Sequence, residues 1–226
     1  MRQIFLVFGY GIPKEMQTDE NYGFYLKIIF NTIFDWCAKH RSWDLVIVFS
    51  GGKTDMIKPY RRTEAGEMVK QFRALMRRQA VKQRTAQWTL IAETRALSTL
   101  DNFLYGRELL EKKKISADHP IIFGEKTRER RIATLAKEIF GRAKVIGIDF
   151  DQSKNRYLDP RFLKQKESKV MKFDLWALES ANHLRRHRAL FKKKFAFLRS
   201  AGPDNHVDAV QQWWEKELKA IIEPPV

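Results

Sequence analysis

The sequence predicts an α/β fold, a three-layer α/β/α arrangement with a mostly parallel sheet of about five strands and a C-terminal helical extension. Three observations carry this. Short apolar runs rich in β-branched residues alternate with longer stretches of helical periodicity. Runs such as Leu45-Val46-Ile47-Val48-Phe49 are hydrophobic throughout, the pattern of strands covered on both faces. Small and polar residues recur just past the strand ends, first Ser50-Gly51-Gly52 and then Glu93 to Asn102, where open parallel sheets bind ligands.

Taken in order, Ile4 to Phe8 reads as a buried strand followed by the turn Gly9-Tyr10-Gly11-Ile12-Pro13. Its two glycines suit a phosphate cradle and a plain tight turn equally well. Tyr22 to His40 has helical spacing, with Tyr22, Tyr25, Leu26, Ile29, Ile33 and Cys37 on one apolar stripe. Leu45 to Phe49 is the second strand, and its glycine pair leads to a basic, Pro-containing loop, Lys53 to Arg62, long enough to act as a flap. Thr63 is the expected N-cap of a helix running to about Gln79 that buries Met68, Val69, Phe72, Leu75 and Met76. Glu64 in its first turn suits either the positive end of the helix dipole or a ligand.

Trp88 to Ala92 is the third strand, with Glu93 directly after it. Leu100 to Lys114 is a helix carrying Asp101 and Asn102 in its first turn and ending in Glu111-Lys112-Lys113-Lys114, a solvated helix end. Pro120 to Gly124 is the fourth strand, Thr127 to Phe140 a basic helix stopped by Gly141, and Lys144 to Ile148 the fifth strand, followed by Asp149-Phe150-Asp151. Parallel strands linked by helices give a sheet covered on both faces.

Beyond residue 151 the alternation stops, so the chain divides into an α/β domain over 1–150 and a basic, mainly helical extension over 151–226 packed on it. Gln152 to Ser168 is polar and reads as a surface crossing; Lys169 to Leu198 reads as one long helix with a basic side. Gly202-Pro203-Asp204 breaks it, and Asn205 to Ile222 is a last amphipathic helix with Trp213-Trp214. Packing on the sheet, pairing with another copy and seating on an anionic surface are the alternatives for this tail. Phe173, Leu175, Trp176, Leu178, Phe191 and Phe195 supply the apolar area that favours packing.

The 226 residues carry a formal charge of +16 and a pI near 10.0. The excess is +10 over residues 1–150 and +6 over the rest, so it is spread along the chain. Such a spread attracts anions without choosing among them. Cys37 is the only cysteine, which excludes an intrachain disulfide, and its apolar helix face predicts a core thiol. The start, Met1 to Phe8, runs into Gly9-Tyr10-Gly11 without a small-residue cleavage site and reads as a strand. No apolar run reaches membrane-spanning length, so a cytoplasmic protein is expected.

The combination of Ser50-Gly51-Gly52 after a strand, Glu64-Ala65 with Met68 opening the next helix, and Glu93 followed at fixed offsets by Thr99, Asp101 and Asn102 resembles the YdcF/SanA/ElyC-like family. This is a bacterial domain of unknown function with a Rossmann-like fold. The resemblance covers about Ile4 to Ile148. Two departures matter. Where the family follows its fourth strand with a Thr-Ser turn, a His and two basic residues, this chain has Phe123 to Arg131, with Arg128 or a neighbour at the place of the His. The Arg that often opens the first helix is also missing, with Tyr25 or Lys27 in its place. An arginine stays protonated and cannot shuttle protons at neutral pH, although it still holds a phosphate or carboxylate. The resemblance further implies a link to cell-envelope precursor metabolism for some relatives, and S-adenosylmethionine as a proposed cofactor for others.

The expected ligand is therefore small and anionic, phosphorylated or nucleotide-like. Backbone amides around Gly9, Gly11, Gly51 and Gly52, with Ser50 and Thr63, are expected to hold its anionic group, with Arg128 and Arg131 as clamps. Glu64 and Glu93 are the candidate acid and base of a hydrolase or transferase, with Thr99 and Asn102 orienting Glu93. Thr99 and Asp101-Asn102 also suit plain capping of their helix. Glu64, Glu93 and Asp101 would suit only a hard cation such as magnesium, since no His-rich or Cys-rich spacing is present. A non-catalytic alternative has the crevice sensing a ligand while the basic tail docks on nucleic acid or an anionic membrane surface.

Overall fold

Five runs that bury apolar side chains form five parallel strands: β1 (Gln3–Phe8), β2 (Leu45–Ser50), β3 (Trp88–Glu93), β4 (Ile121–Glu125) and β5 (Lys144–Ile148). The computed structural model describes residues 2–12, 15, 16, 18–149, 160–202, 204 and 206–221. The sheet order is β3-β2-β1-β4-β5, so the chain moves outward from β1 in one direction and then returns to its other side. Register aligns Phe8, Ser50 and Glu93 in one row at the strand ends.

Helices α1 (Glu20–His40) and α2 (Glu64–Met76) cover one face, over Phe5, Val7, Ile47, Phe49 and Phe123. Helices α3 (Thr99–Lys112) and α4 (Glu129–Phe140) cover the other, over Ile4, Leu6, Val46, Val48 and Ile122. Full burial of such a side chain contributes roughly 1.5–3 kcal/mol, which explains why strict alternation is absent from β1 and β2. The result is a Rossmann-like three-layer fold. Asp19 caps α1 by accepting from Tyr22 N–H at 2.8 Å, three residues before the apolar stripe begins. Cys37 lies wholly inside the first of these cores, as its stripe predicts.

The extension differs from its expectation in two ways. Helix α5 (Pro160–Leu178) starts inside the stretch read as a polar crossing, and the long basic helix is in fact two, because α6 (Ala181–Ala201) starts afresh at Ser180. The Ser180 hydroxyl accepts from His183 N–H at 3.1 Å and ends the continuity without any Gly or Pro. This break lets α6 fold back along α5, bringing His187 beside Asp174. Helix α7 (His206–Ile221) closes the bundle, with Trp213 and Trp214 in a core shared with Val170, Phe191 and Phe195. Ala177 of α5 joins the α3–α4 core, so the extension packs on the α/β layers. Phe150, Asp151, the proposed boundary at 150/151 and Pro203 lie outside the described residues. Among the described residues no helix is long and apolar enough to cross a membrane.

Candidate functional site

In a sheet of this order the strand direction of travel reverses between β1 and β4, and loops after those two strands diverge to leave a crevice. Here the crevice is a cavity of about 930 Å³. Its floor is the β1 loop (Gly9 to Ile12), the start of α2 (Glu64), the β3–α3 turn (Ala96 to Thr99, with Asn102) and the β4 end (Glu125 to Arg131). Its roof comes from α5, α6 and α7, including Lys166, Lys194 and Trp214.

Glu64 is buried and braces the β1 loop. Its Oε1 accepts from the Tyr22 hydroxyl at 2.7 Å and from Gly11 N–H. A Cβ at Gly9 would overlap the Glu64 carboxyl, and one at Gly51 would lie 2.7 Å from Oε2, so both glycines make room for this side chain. Gly11 sits at φ +123°, a conformation that L side chains rarely adopt. Burial pushes the Glu64 carboxyl up, opposed by the Tyr22 hydroxyl, the Gly11 amide and the Arg128 charge.

The glycine amides are not an open anion cradle. Gly9 N–H donates to Ser50 O at 3.2 Å, Gly51 N–H to Glu93 O at 3.1 Å and Gly52 N–H to Ala96 O at 2.6 Å. The first amides of α2 are occupied as well, Glu64 N–H by Gly52 O and Ala65 N–H by Gly51 O, both at 2.9 Å, and Thr63 caps Gly66 N–H at 3.2 Å. These donors satisfy the backbone where strand ends approach one another.

Glu93 lies behind the floor rather than in it. Its carboxylate accepts from the Ser50 hydroxyl at 2.7 Å, from Arg95 N–H at 2.7 Å and from Ala96 N–H at 3.3 Å. Ser50 Oγ also lies 3.1 Å from Asn102 Oδ1. A hydroxyl has one proton, and Glu93 takes it, so the Asn102 contact is satisfied when the amide turns its NH2 to Ser50. Ser50, Glu93 and Asn102 thus form one buried unit across β2, β3 and α3. Thr99 lines the cavity, while Ser98 caps α3 by accepting from Asp101 N–H at 3.0 Å. Asp101 turns away and accepts from Arg188 Nε of α6 at 2.8 Å. Glu64, Glu93 and Asp101 accordingly have separate partners, and among the described residues no group of three His, Cys, Asp or Glu is placed to hold a metal ion.

The cavity's electrostatics are set by arginine and lysine. Arg128 reaches Glu125 Oε2 at 3.2 Å and the carbonyls of Gly9 and Tyr10 at 3.4 and 3.5 Å. Arg131 donates to Asp174 at 2.6 Å and to Glu167 at 3.2 Å, while its buried Nη2 has no hydrogen-bond partner among the described residues. Lys166 pairs with Glu167 at 2.6 Å. Although burial opposes it, the charges of Lys166, Arg131 and Arg128 pull the Glu167 carboxyl down to about 2. Burial lowers Lys166, with Arg128 and Arg131 adding to the effect against Glu167.

Of the expected ligand residues, Gly9, Gly11, Glu64, Thr99, Asn102, Arg128 and Arg131 line the cavity; Ser50, Gly51, Gly52, Thr63, Glu93 and Asp101 do not. The loop read as a flap is tied down, with Arg62 on Asp55 at 2.7 Å and the Arg199 guanidinium on Lys53 O at 2.7 Å and Asp55 O at 3.1 Å. Sequence reasoning missed Lys166, Glu167, Asp174 and Lys194. The signal for the three on α5 is a helical spacing of buried positions, Lys166, Glu167, Val170, Asp174 and Ala177, in which charged residues conceal the stripe. Comparison with protein-family models, curated proteins and solved structures finds no match to this chain.

Proposed function

We propose that this chain binds a small anionic ligand, phosphorylated or nucleotide-like, in the cavity between the strand ends and the C-terminal helices. The observation that carries this is the charge of the lining: Arg128, Arg130, Arg131, Lys164, Lys166 and Lys194 face three carboxylates, Glu64, Glu125 and Glu167. Glu125 is already held by Arg128 and Thr127, and Glu167 by Arg131 and Lys166. Arg131 and Lys166 are buried, Arg128 and Lys194 half-buried, and Arg130 and Lys164 exposed, so the cationic excess is partly solvated and supports the reading by attracting an anionic guest into the cavity. The spare Nη2 of Arg131 offers such a guest a charge-assisted hydrogen bond. A volume of about 930 Å³ lies at the upper end of small-molecule sites.

Membership of the YdcF-like family belongs to this proposal, and it directs the choice of ligands: nucleotides, nucleotide-sugars of cell-envelope precursors, sugar phosphates and S-adenosylmethionine. Hydrolase or transferase chemistry would draw on Glu64, the one nominated acid that lines the cavity. The test is a thermal-shift screen of these compounds with and without magnesium. A ligand at a hundred times its Kd stabilises by roughly 2.7 kcal/mol. The expected result is a shift that Arg128→Gln abolishes. No shift with any of them, beside a clear shift with RNA or anionic vesicles, would transfer the function to the exposed cations of α6, Arg185, Arg186, Lys192 and Lys193.

A further inference from the structure

Lysine side chains normally reach water or a carboxylate. Lys194 does neither in full: it lines the cavity from α6, and its Nζ lies 4.9 Å from the Trp214 ring centroid, 5.5 Å from that of Phe195 and 5.9 Å from that of Phe191. Among the described residues it has no ion pair; the nearby Glu167 is engaged by Lys166 at 2.6 Å and Arg131 at 3.2 Å. The other charges that face it are Arg128 after β4, Arg131 on α4 and Lys166 on α5, all cationic. For this half-buried primary amine, the desolvation and the fellow cations, not the rings, favour the neutral, nucleophilic form.

We propose that Lys194 forms an imine with the carbonyl carbon of an anionic aldehyde or ketone bound in this cavity. The inference rests on the anion-binding reading above and deepens it by naming the ligand's second functional group. The lone pair of the neutral Nζ attacks the carbonyl carbon, forming the C–N bond as the C=O π pair moves to oxygen. A proton passes from nitrogen to that oxygen, giving a carbinolamine. The nitrogen lone pair then expels the C–O oxygen to give an iminium, and the departing oxygen takes the remaining N–H proton, which releases water and leaves the C=N bond. One amine and one carbonyl thus give one imine and one water, with no change of oxidation state. Arg131 Nη2 and Arg128 hold the anionic group, and the rings of Trp214, Phe195 and Phe191 shelter the nitrogen and receive the iminium charge. Burial first, and then repulsion by Lys166, Arg128 and Arg131, pushes the Lys194 ammonium well below the ordinary lysine range, which supplies the free amine this needs.

The test uses the full chain and pyridoxal 5′-phosphate as a phosphorylated aldehyde probe, reduced with borohydride and mapped by peptide mass spectrometry. At neutral pH Lys194 should label at least about tenfold faster than exposed Lys192 and Lys193, since each unit of pKa depression raises the free amine about tenfold. Pyridoxine 5′-phosphate, which has the anion and no carbonyl, should bind and suppress that labelling. Lys194→Met should remove the adduct, and the mapping on unmutated protein stands even where this variant fails to fold. Binding of pyridoxine 5′-phosphate with Lys194 labelled no faster than exposed lysines would overturn the imine and leave the anion site standing. Rapid Lys194 labelling without pyridoxine 5′-phosphate binding would overturn the anion reading instead, and failure of both would overturn both.

Discussion

Arg131 Nε donates to Asp174 Oδ2 at 2.6 Å, and both side chains are closed off from solvent. The other Asp174 oxygen lies 2.9 Å from His187 Nε2, so one carboxylate joins α4 of the α/β layers to α5 and α6 of the extension. Arg131→Met would take the buried cation from Asp174 and Glu167, leaving the first only His187 and the second only Lys166. Removing one partner of a buried pair costs about 3–5 kcal/mol. Urea unfolding should show a loss of that size in a single transition; a fully unchanged midpoint would mean that the extension does not depend on this joint.

Glu167 gives the network a pH signature. Its carboxyl is held at about 2 against an ordinary 4.5, so the stability it contributes is complete above 4.5 and is lost as pH falls through about 2. Urea midpoints measured between these limits should fall more steeply for the unmutated chain than for Glu167→Gln. Parallel profiles would refute the contribution.

Gly9 and Glu64 should be coupled. Gly9→Ala forces a methyl into the Glu64 carboxyl, and overpacking of this kind costs typically about 1–3 kcal/mol. In a Glu64→Ala background the same change should cost much less, and a double-mutant cycle reads the difference. Additive effects would show that the loop relaxes around the methyl.

Glu93 behaves in this geometry as a brace. Glu93→Gln weakens three bonds to a buried carboxylate, and Ser50→Ala removes one, so each should cost about 1–3 kcal/mol by denaturant titration. A Glu93→Gln variant with undiminished melting temperature and no turnover would return the residue to a catalytic role.

Cys37 is wholly inside the α1 face of the core, and burial pushes its thiol up to about 11. Ellman's reagent should therefore react only when the fold opens, at a rate that rises with urea in step with unfolding. Fast labelling without denaturant would place α1 among locally opening segments.

Much of the architecture was legible because strand and helix periods are written in neighbouring residues. The runs Ile4–Phe8, Leu45–Phe49 and Lys144–Ile148 announce strands by composition alone, and Thr63 and Gly141 mark helix ends through local chemistry. Glu64 and Gly9 were legible as residues at the crevice, whereas their relation was not: the glycine makes room for a carboxylate from the same chain. Ser180 hid its break because a serine inside a helical pattern is tolerated, and the buried side of α5 was hidden by Lys166, Glu167 and Asp174.

The sequence by itself determined the α/β class, the strand-end position of the crevice and the net positive charge, since each follows from local periodicity or from counting. Only the tertiary structure decided which cations enter the crevice and which carboxylates are already spent. Arg131 meets Asp174 across 43 positions of chain and Asp101 meets Arg188 across 87. Such pairings depend on how α5, α6 and α7 fold back over the strand ends, a relation between distant segments that no local pattern encodes.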